Sequence, residues 1–175
     1  MIKEYIIPNY ISKEGRYRMK IFKFYDTCSL LIKADSLFKD EQDTIVISSI
    51  SLEELENIKT SGSKDEDTKM RARHLLRVLD ENPDKYEIWI FKEPMLKPIE
   101  EKGFSISNDM RILATAIDYD NTQHPDETVF ITNDLLLKHI ANLFFGEDSV
   151  GSVEEEIHDG YTGFKEVYLS DEQMA

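Results

Sequence analysis

Short β-prone apolar runs alternate with segments of helical period along this chain, and four separated acids stand where a strand meets a turn or a helix start. The first run is Lys20-Ile21-Phe22-Lys23-Phe24-Tyr25. Asp26 follows it, and then Thr27 to Ala34, whose apolar spacing suits a short helix. Thr44 to Ile50 is a second strand of the buried type, and Ser51-Leu52-Glu53-Glu54 has the spacing of a capping box, which places Glu54 in the first turn of a helix. After the Ser61-Gly62-Ser63 break, Ala72, Leu75, Leu76 and Leu79 mark one face of a long amphipathic helix that Pro83 ends. Tyr86 to Phe91 alternates as a half-buried edge strand does. Ser107 and Asn108 cap a helix running through Ile112, Leu113, Ala116 and Ile117, with Asp109 in its first turn. Thr128 to Ile131 is another short strand, and Asp134 directly precedes a helix over Leu135 to Ala141 that closes near Gly146. Such alternation predicts a three-layer α/β/α architecture around a central, mainly parallel sheet.

In a sheet of that kind the ligand site lies outside the carboxyl ends of the strands, so acids distant in sequence can converge there. Asp26, Glu54, Asp109 and Asp134 are placed to do so. Convergent carboxylates attract a hard divalent cation, and magnesium or manganese held this way cleaves phosphodiesters at neutral pH. The bland reading of the same acids is that they are helix caps and dipole partners, each contributing about 0.3–1 kcal/mol. Thr27 and Thr132 flank two of them, as carboxylate partners or as donors in a strand-end turn. Trp89 and the helix leucines are assigned to the core, and Asp118, Asp120, Asp126 and Glu127 to solvent.

Four fragments resemble, in order, the motifs of the PIN domain, a metal-dependent ribonuclease fold. They are Phe24 to Leu31 around Asp26, Ser51 to Leu55 with Glu54 directly before Leu55, Asn108 to Ala114 around Asp109, and Thr132-Asn133-Asp134. The resemblance spans residues 20–146. It implies that all four acids are catalytic and hold Mg2+ or Mn2+, and that the substrate is single-stranded RNA cut internally. Where the family usually has asparagine beside the first acid, this chain has Cys28, read here as a small buried hydrophobe. Ala72-Arg73 and the stretch Gly160 to Val167 are similar to the subgroup whose PIN domain is fused to a PhoH-like ATPase. The phosphate loop of such an ATPase is not in this sequence. Residues 1–19 lack a clear period and read as an extended arm, and the resemblance divides the rest into a PIN-like domain over 20–150 and a connector over 151–175 toward that ATPase. It leaves open a weakly catalytic module that regulates the ATPase, presents RNA to it or self-associates.

Charge bears on the choice. Thirty-five acids against 21 bases give a formal net charge of −14, which repels a polyanion unless bound cations or a local basic rim intervene, or a neighbouring domain does the gripping. Arg73, Arg111, Lys97 and Lys138 are the candidates for such a rim, against the commoner role of surface ion pairs. A single cysteine excludes an internal disulfide and a multi-cysteine zinc site. No apolar run approaches the roughly 20 residues that span a bilayer, and the amino end lacks a signal-peptide core, so a cytoplasmic protein without membrane partners is expected.

Overall fold

The computed structural model of the chain describes residues 20–39 and 43–153. Five strands form one sheet: β1 (Ile21–Tyr25), β2 (Thr44–Ser48), β3 (Tyr86–Trp89), β4 (Glu127–Ile131) and the two-residue β5 (Val150–Gly151). Their order is β3-β2-β1-β4-β5, and every pairing is parallel. Six helices connect them: α1 (Thr27–Lys33), α2 (Ser49–Thr60), α3 (Glu66–Glu81), the one-turn α4 (Lys97–Glu100), α5 (Asn108–Gln123) and α6 (Leu135–Phe145).

Alternation within the strands decides which helices lie on which face. Register aligns Val46, Phe24, Phe130 and Val150 in one row across four strands. That row is buried against Ile99 of α4, Ile112, Leu113 and Ala116 of α5, and Leu137 and Ile140 of α6. Their neighbours Tyr25, Ile45, Ile47 and Ile131 point the other way, onto Leu30 of α1, Leu55 of α2, and Ala72, Leu75 and Leu79 of α3. Removing one such side chain from water stabilises the fold by about 1.5–3 kcal/mol, so both helical layers are held by the strands' period of two.

The chain runs outward from the central β1 through β2 to β3, then crosses to the other side of β1 for β4 and β5. Helices between the first three strands cover one face, and α5 and α6 cover the other. The direction of winding reverses between β1 and β4, which opens a crevice at their carboxyl ends.

Several local expectations need correction. The cap of α2 is Ser48, whose hydroxyl accepts from the Ile50 amide, so Ser51 lies inside the helix and Glu54 in its second turn. A serine at the last strand residue can cap immediately, and it pre-empts the box three residues later. Neither β5 nor α4 is foreshadowed by the pattern, each being shorter than the periods that reveal elements. Leu135, Leu136 and Leu143 are exposed, and Trp89 is only half-buried on the edge strand, its indole N–H donating to Asp118 at 2.8 Å. Asp118 and Asp120 are half-buried acceptors, Asp120 receiving the Thr128 hydroxyl at 2.7 Å. The arm over 1–19 and the Gly160 to Val167 segment lie outside the described residues.

Candidate active site

One residue beyond the buried rows, the strands run out of apolar side chains, and the acids begin. Asp26 follows Tyr25 of β1, and its amide donates to the carbonyl of Ile131, the last residue of β4, at 3.1 Å. This continues the β1–β4 ladder by one bond and brings Asp26 beside Thr132. Asp26 is only 4% exposed. Burying a carboxylate is costly unless donors replace its water, and two do: the Ser29 amide donates to Oδ1 at 2.7 Å, and the Thr132 hydroxyl donates to Oδ2. Asp26 is thereby also the N-cap of α1.

Thr132 is fully buried and works in two directions. While donating to Asp26, its Oγ1 accepts from the Asp134 amide at 3.0 Å. Its own amide is anchored on the carbonyl of Gly151 at 3.0 Å. The adjacent Asn133 accepts the Val153 amide at 2.8 Å, so β5 and the residues after it brace the loop that presents Asp134. Asp134 caps α6, its Oδ1 accepting from the Leu137 amide at 2.8 Å, and the residue remains exposed.

Glu54 reaches the crevice from α2, half-exposed, with a donor on each oxygen. The Thr27 hydroxyl donates to Oε2, and the Asn108 side-chain amide donates to Oε1 at 3.0 Å. Asn108 in turn accepts from the Arg111 guanidinium at 3.1 Å. Asp109, next along α5, accepts no hydrogen bond among the described residues. Burial pushes its carboxyl above the ordinary range, and the charges of Glu54, Asp26 and Asp134 push it further the same way. The four acids therefore feel one another across a shared space.

Cys28 is exposed rather than buried, because α1 turns it outward while Ser29 and Leu30 face the core. What burial its thiol retains, then the charges of Asp26, Asp109 and Glu54, raise its pKa, and Lys64 opposes them only weakly. A thiol held protonated is a poor nucleophile.

Of the basic candidates, the structure ties Arg111 to the acids, through Asn108. Lys138 is half-buried in the first turn of α6, one turn past Asp134, with no ion pair among the described residues. Arg73 is exposed on α3 near Glu66, and Lys97 faces Glu101 at 4.0 Å. Sequence reasoning missed Asn108 as a partner of Glu54. The sequence pairs it with Ser107 as a cap, and Ser107 fills that role alone, its Oγ accepting the Met110 amide at 3.3 Å.

The chain matches the PIN domain family over residues 24–144. It belongs to that family. Members of the PIN domain family are generally metal-dependent ribonucleases, and their ions are generally magnesium or manganese. Among curated protein sequences no relative matches. Two solved structures are similar to this PIN domain. VapBC2 from Rickettsia felis, in a crystal bound to a DNA fragment from its promoter, is 23% identical with a TM-score of 0.45, over 75% of this chain and 98% of its own. PAE2754 from Pyrobaculum aerophilum is 15% identical with a TM-score of 0.49, over 81% of this chain and 88% of its own.

As a ligand set, four carboxylates with threonine and asparagine around them offer only oxygen, which suits magnesium or manganese rather than a softer ion. Among the described residues no three His, Cys, Asp or Glu side chains are yet placed to hold an ion together. The donor chemistry fits the family's metal; the described side chains do not by themselves form a coordination shell. Among the described residues no helix is long and apolar enough to cross a membrane.

Proposed function

We propose that this PIN domain is an endoribonuclease that hydrolyses single-stranded RNA with Mg2+ or Mn2+ held by Asp26, Glu54, Asp109 and Asp134. What supports the reading is that Asp109 feels the charges of Glu54, Asp26 and Asp134 near the carboxyl ends of the strands, with no lysine or arginine ion-paired to any of the four among the described residues. Acids that serve only as helix caps have no need to converge. A bound ion supplies an activated water and neutralises charge at the phosphate. The chain's own part is to aim the ligands: Thr132 and the Ser29 amide orient Asp26, Thr27 and Asn108 orient Glu54, and Asp134 is fixed by its cap bond. No side chain is required as a nucleophile, which agrees with a protonated Cys28. Arg111 and Lys138 supply positive charge beside the acids to offset the −14 of the chain as RNA approaches, with Arg73 further out on α3. Residues 1–19 and 151–175 are assigned as arm and connector, the latter toward a PhoH-like ATPase in a cytoplasmic protein, with Gly151 of β5 and the buried Val153 still packed in the domain.

A second reading is a weakly catalytic module that presents RNA to, or regulates, an attached ATPase. Cys28 in place of the usual asparagine favours it, as does the absence of a formed coordination shell among the described residues. One experiment separates the two: manganese-dependent cleavage of a fluorescent single-stranded RNA by the protein and by Asp26→Asn. Asparagine keeps the cap bond to the Ser29 amide but presents an NH2 to Thr132, so the fold of the variant is verified by circular dichroism. Cleavage by the parent with a loss of at least about 100-fold in the variant supports the nuclease, taking the upper end of what lost metal-site partners cost. No cleavage by either folded protein favours the regulatory module.

A further inference from the structure

We propose that Asn108 is a positioning residue for Glu54, and that Arg111 acts on the cleavage step through it. The inference rests on the nuclease reading above and deepens it.

Glu54 is a long, half-exposed side chain in the second turn of α2, and holding it in one rotamer costs conformational freedom. Two donors from two other helices offset that cost, Thr27 of α1 on Oε2 and Asn108 of α5 on Oε1. The Asn108 bond is the one with an identifiable control. An asparagine side chain donates only from its nitrogen and accepts only at its oxygen, so its neighbours fix its orientation. Here both neighbours agree. Arg111 can only donate, so it requires the oxygen, and it receives it at 3.1 Å. Glu54, when ionised, can only accept, so it requires the nitrogen, and that distance is 3.0 Å. The series guanidinium, amide, carboxylate is polarised in one direction, with a charge assisting the bond at each end. Among the described residues Arg111 makes no ion pair, so its cation is spent on orienting a neutral amide rather than on cancelling an acid. Asn108 itself is exposed and the helix is capped by Ser107, so its side chain contributes little to folding that alanine would lose.

The test compares the parent with Asn108→Ala, Arg111→Met and the double variant. Two readouts are taken: manganese affinity by calorimetry without RNA, and kcat and KM on single-stranded RNA. Loss of a partner that orients a metal ligand costs about 10–100-fold. Asn108→Ala is therefore expected to weaken manganese binding and lower kcat by at least about tenfold, leaving KM for RNA and the melting temperature nearly unchanged. Arg111→Met is expected to lower kcat in the same direction, and the double variant to have the kcat of Asn108→Ala alone. Parent-like manganese affinity and kcat in Asn108→Ala overturn the proposal while the nuclease reading stands. So does a kcat loss from Arg111→Met that multiplies that of Asn108→Ala, since Arg111 would then act on its own. A parent that neither binds manganese nor cleaves RNA overturns both readings together.

Discussion

The two ends of the sheet both gather charged side chains, and they treat them in opposite ways. Near the amino ends of β1 to β3, a cavity of about 380 Å³ is lined by Lys20 and Lys85 among Asp43, Asp84 and Glu87, and Lys23 meets Asp43 at 2.7 Å. Asp43 there is paired to a cation, while Glu87 takes the Tyr119 hydroxyl at 3.0 Å. At the carboxyl ends, Asp26, Glu54 and Asp134 are bonded instead by hydroxyls, an asparagine and backbone amides. A lysine partner cancels a carboxylate; a neutral donor orients it and leaves its charge in place. The difference teaches that the carboxyl end is arranged to keep negative charge available, at the cost visible in the raised pKa of Asp109.

The contrast breaks most severely if Asp26→Asn retains RNA cleavage. Next in size is Thr132→Val, which keeps the shape of a fully buried residue and removes the hydroxyl that serves Asp26 and the Asp134 amide. Leaving a buried polar group without its partner costs about 1–3 kcal/mol, so urea denaturation should show a loss near 2 kcal/mol. Manganese affinity should fall about 10–100-fold with it. Unchanged affinity would mean that the threonine serves the fold alone.

Asp109→Asn sharpens the comparison in the other direction. The native pKa of Asp109 is raised, so the folded state holds a proton that the unfolded chain has already released. The favourable contribution is present below the unfolded pKa and is lost as pH rises through the raised native one. At neutral pH the ionised group therefore destabilises the metal-free protein, and Asp109→Asn should melt higher than the parent there. At about pH 3, below the usual carboxylate range, the two should coincide. Manganese should raise the melting temperature of the parent and do so less for the variant. A variant that melts lower than the parent at neutral pH would contradict the burial and the neighbouring charges that raise the Asp109 pKa.

The smallest effect belongs to the amino end. Asp43→Asn breaks a partly exposed ion pair with Lys23, so a loss within about 1 kcal/mol and unaltered manganese affinity are expected. A change in metal binding from that distance would show that the two ends are coupled.

How far the sequence could be read follows from the range of each interaction. Asp26 and Asp134 were legible because an N-cap is made within three residues, to the amides of Ser29 and Leu137. Glu54 was legible as an acid but not in register, since Ser48 and Ser51 offer the same capping chemistry three residues apart and only the end of β2 chooses between them. Asn108 was not legible as a partner of Glu54, because their bond spans 54 positions. Nor were the outward Cys28 and the exposed Leu135, Leu136 and Leu143, whose helices are apolar on more than one side. Which side is covered depends on the neighbours.

By itself the sequence determined that strands of period two alternate with helices, hence a parallel sheet with both faces covered, and that each acid stands beside a strand end or helix start. Those are local properties, set by side-chain alternation and by which residues satisfy the first amides of a helix. Only the tertiary structure decided that β4 lies against β1, so that Thr132 donates to an acid 106 positions away, and that Asp109 feels the charges of the other three acids. Strand order is a property of how whole layers pack, and no local period carries it.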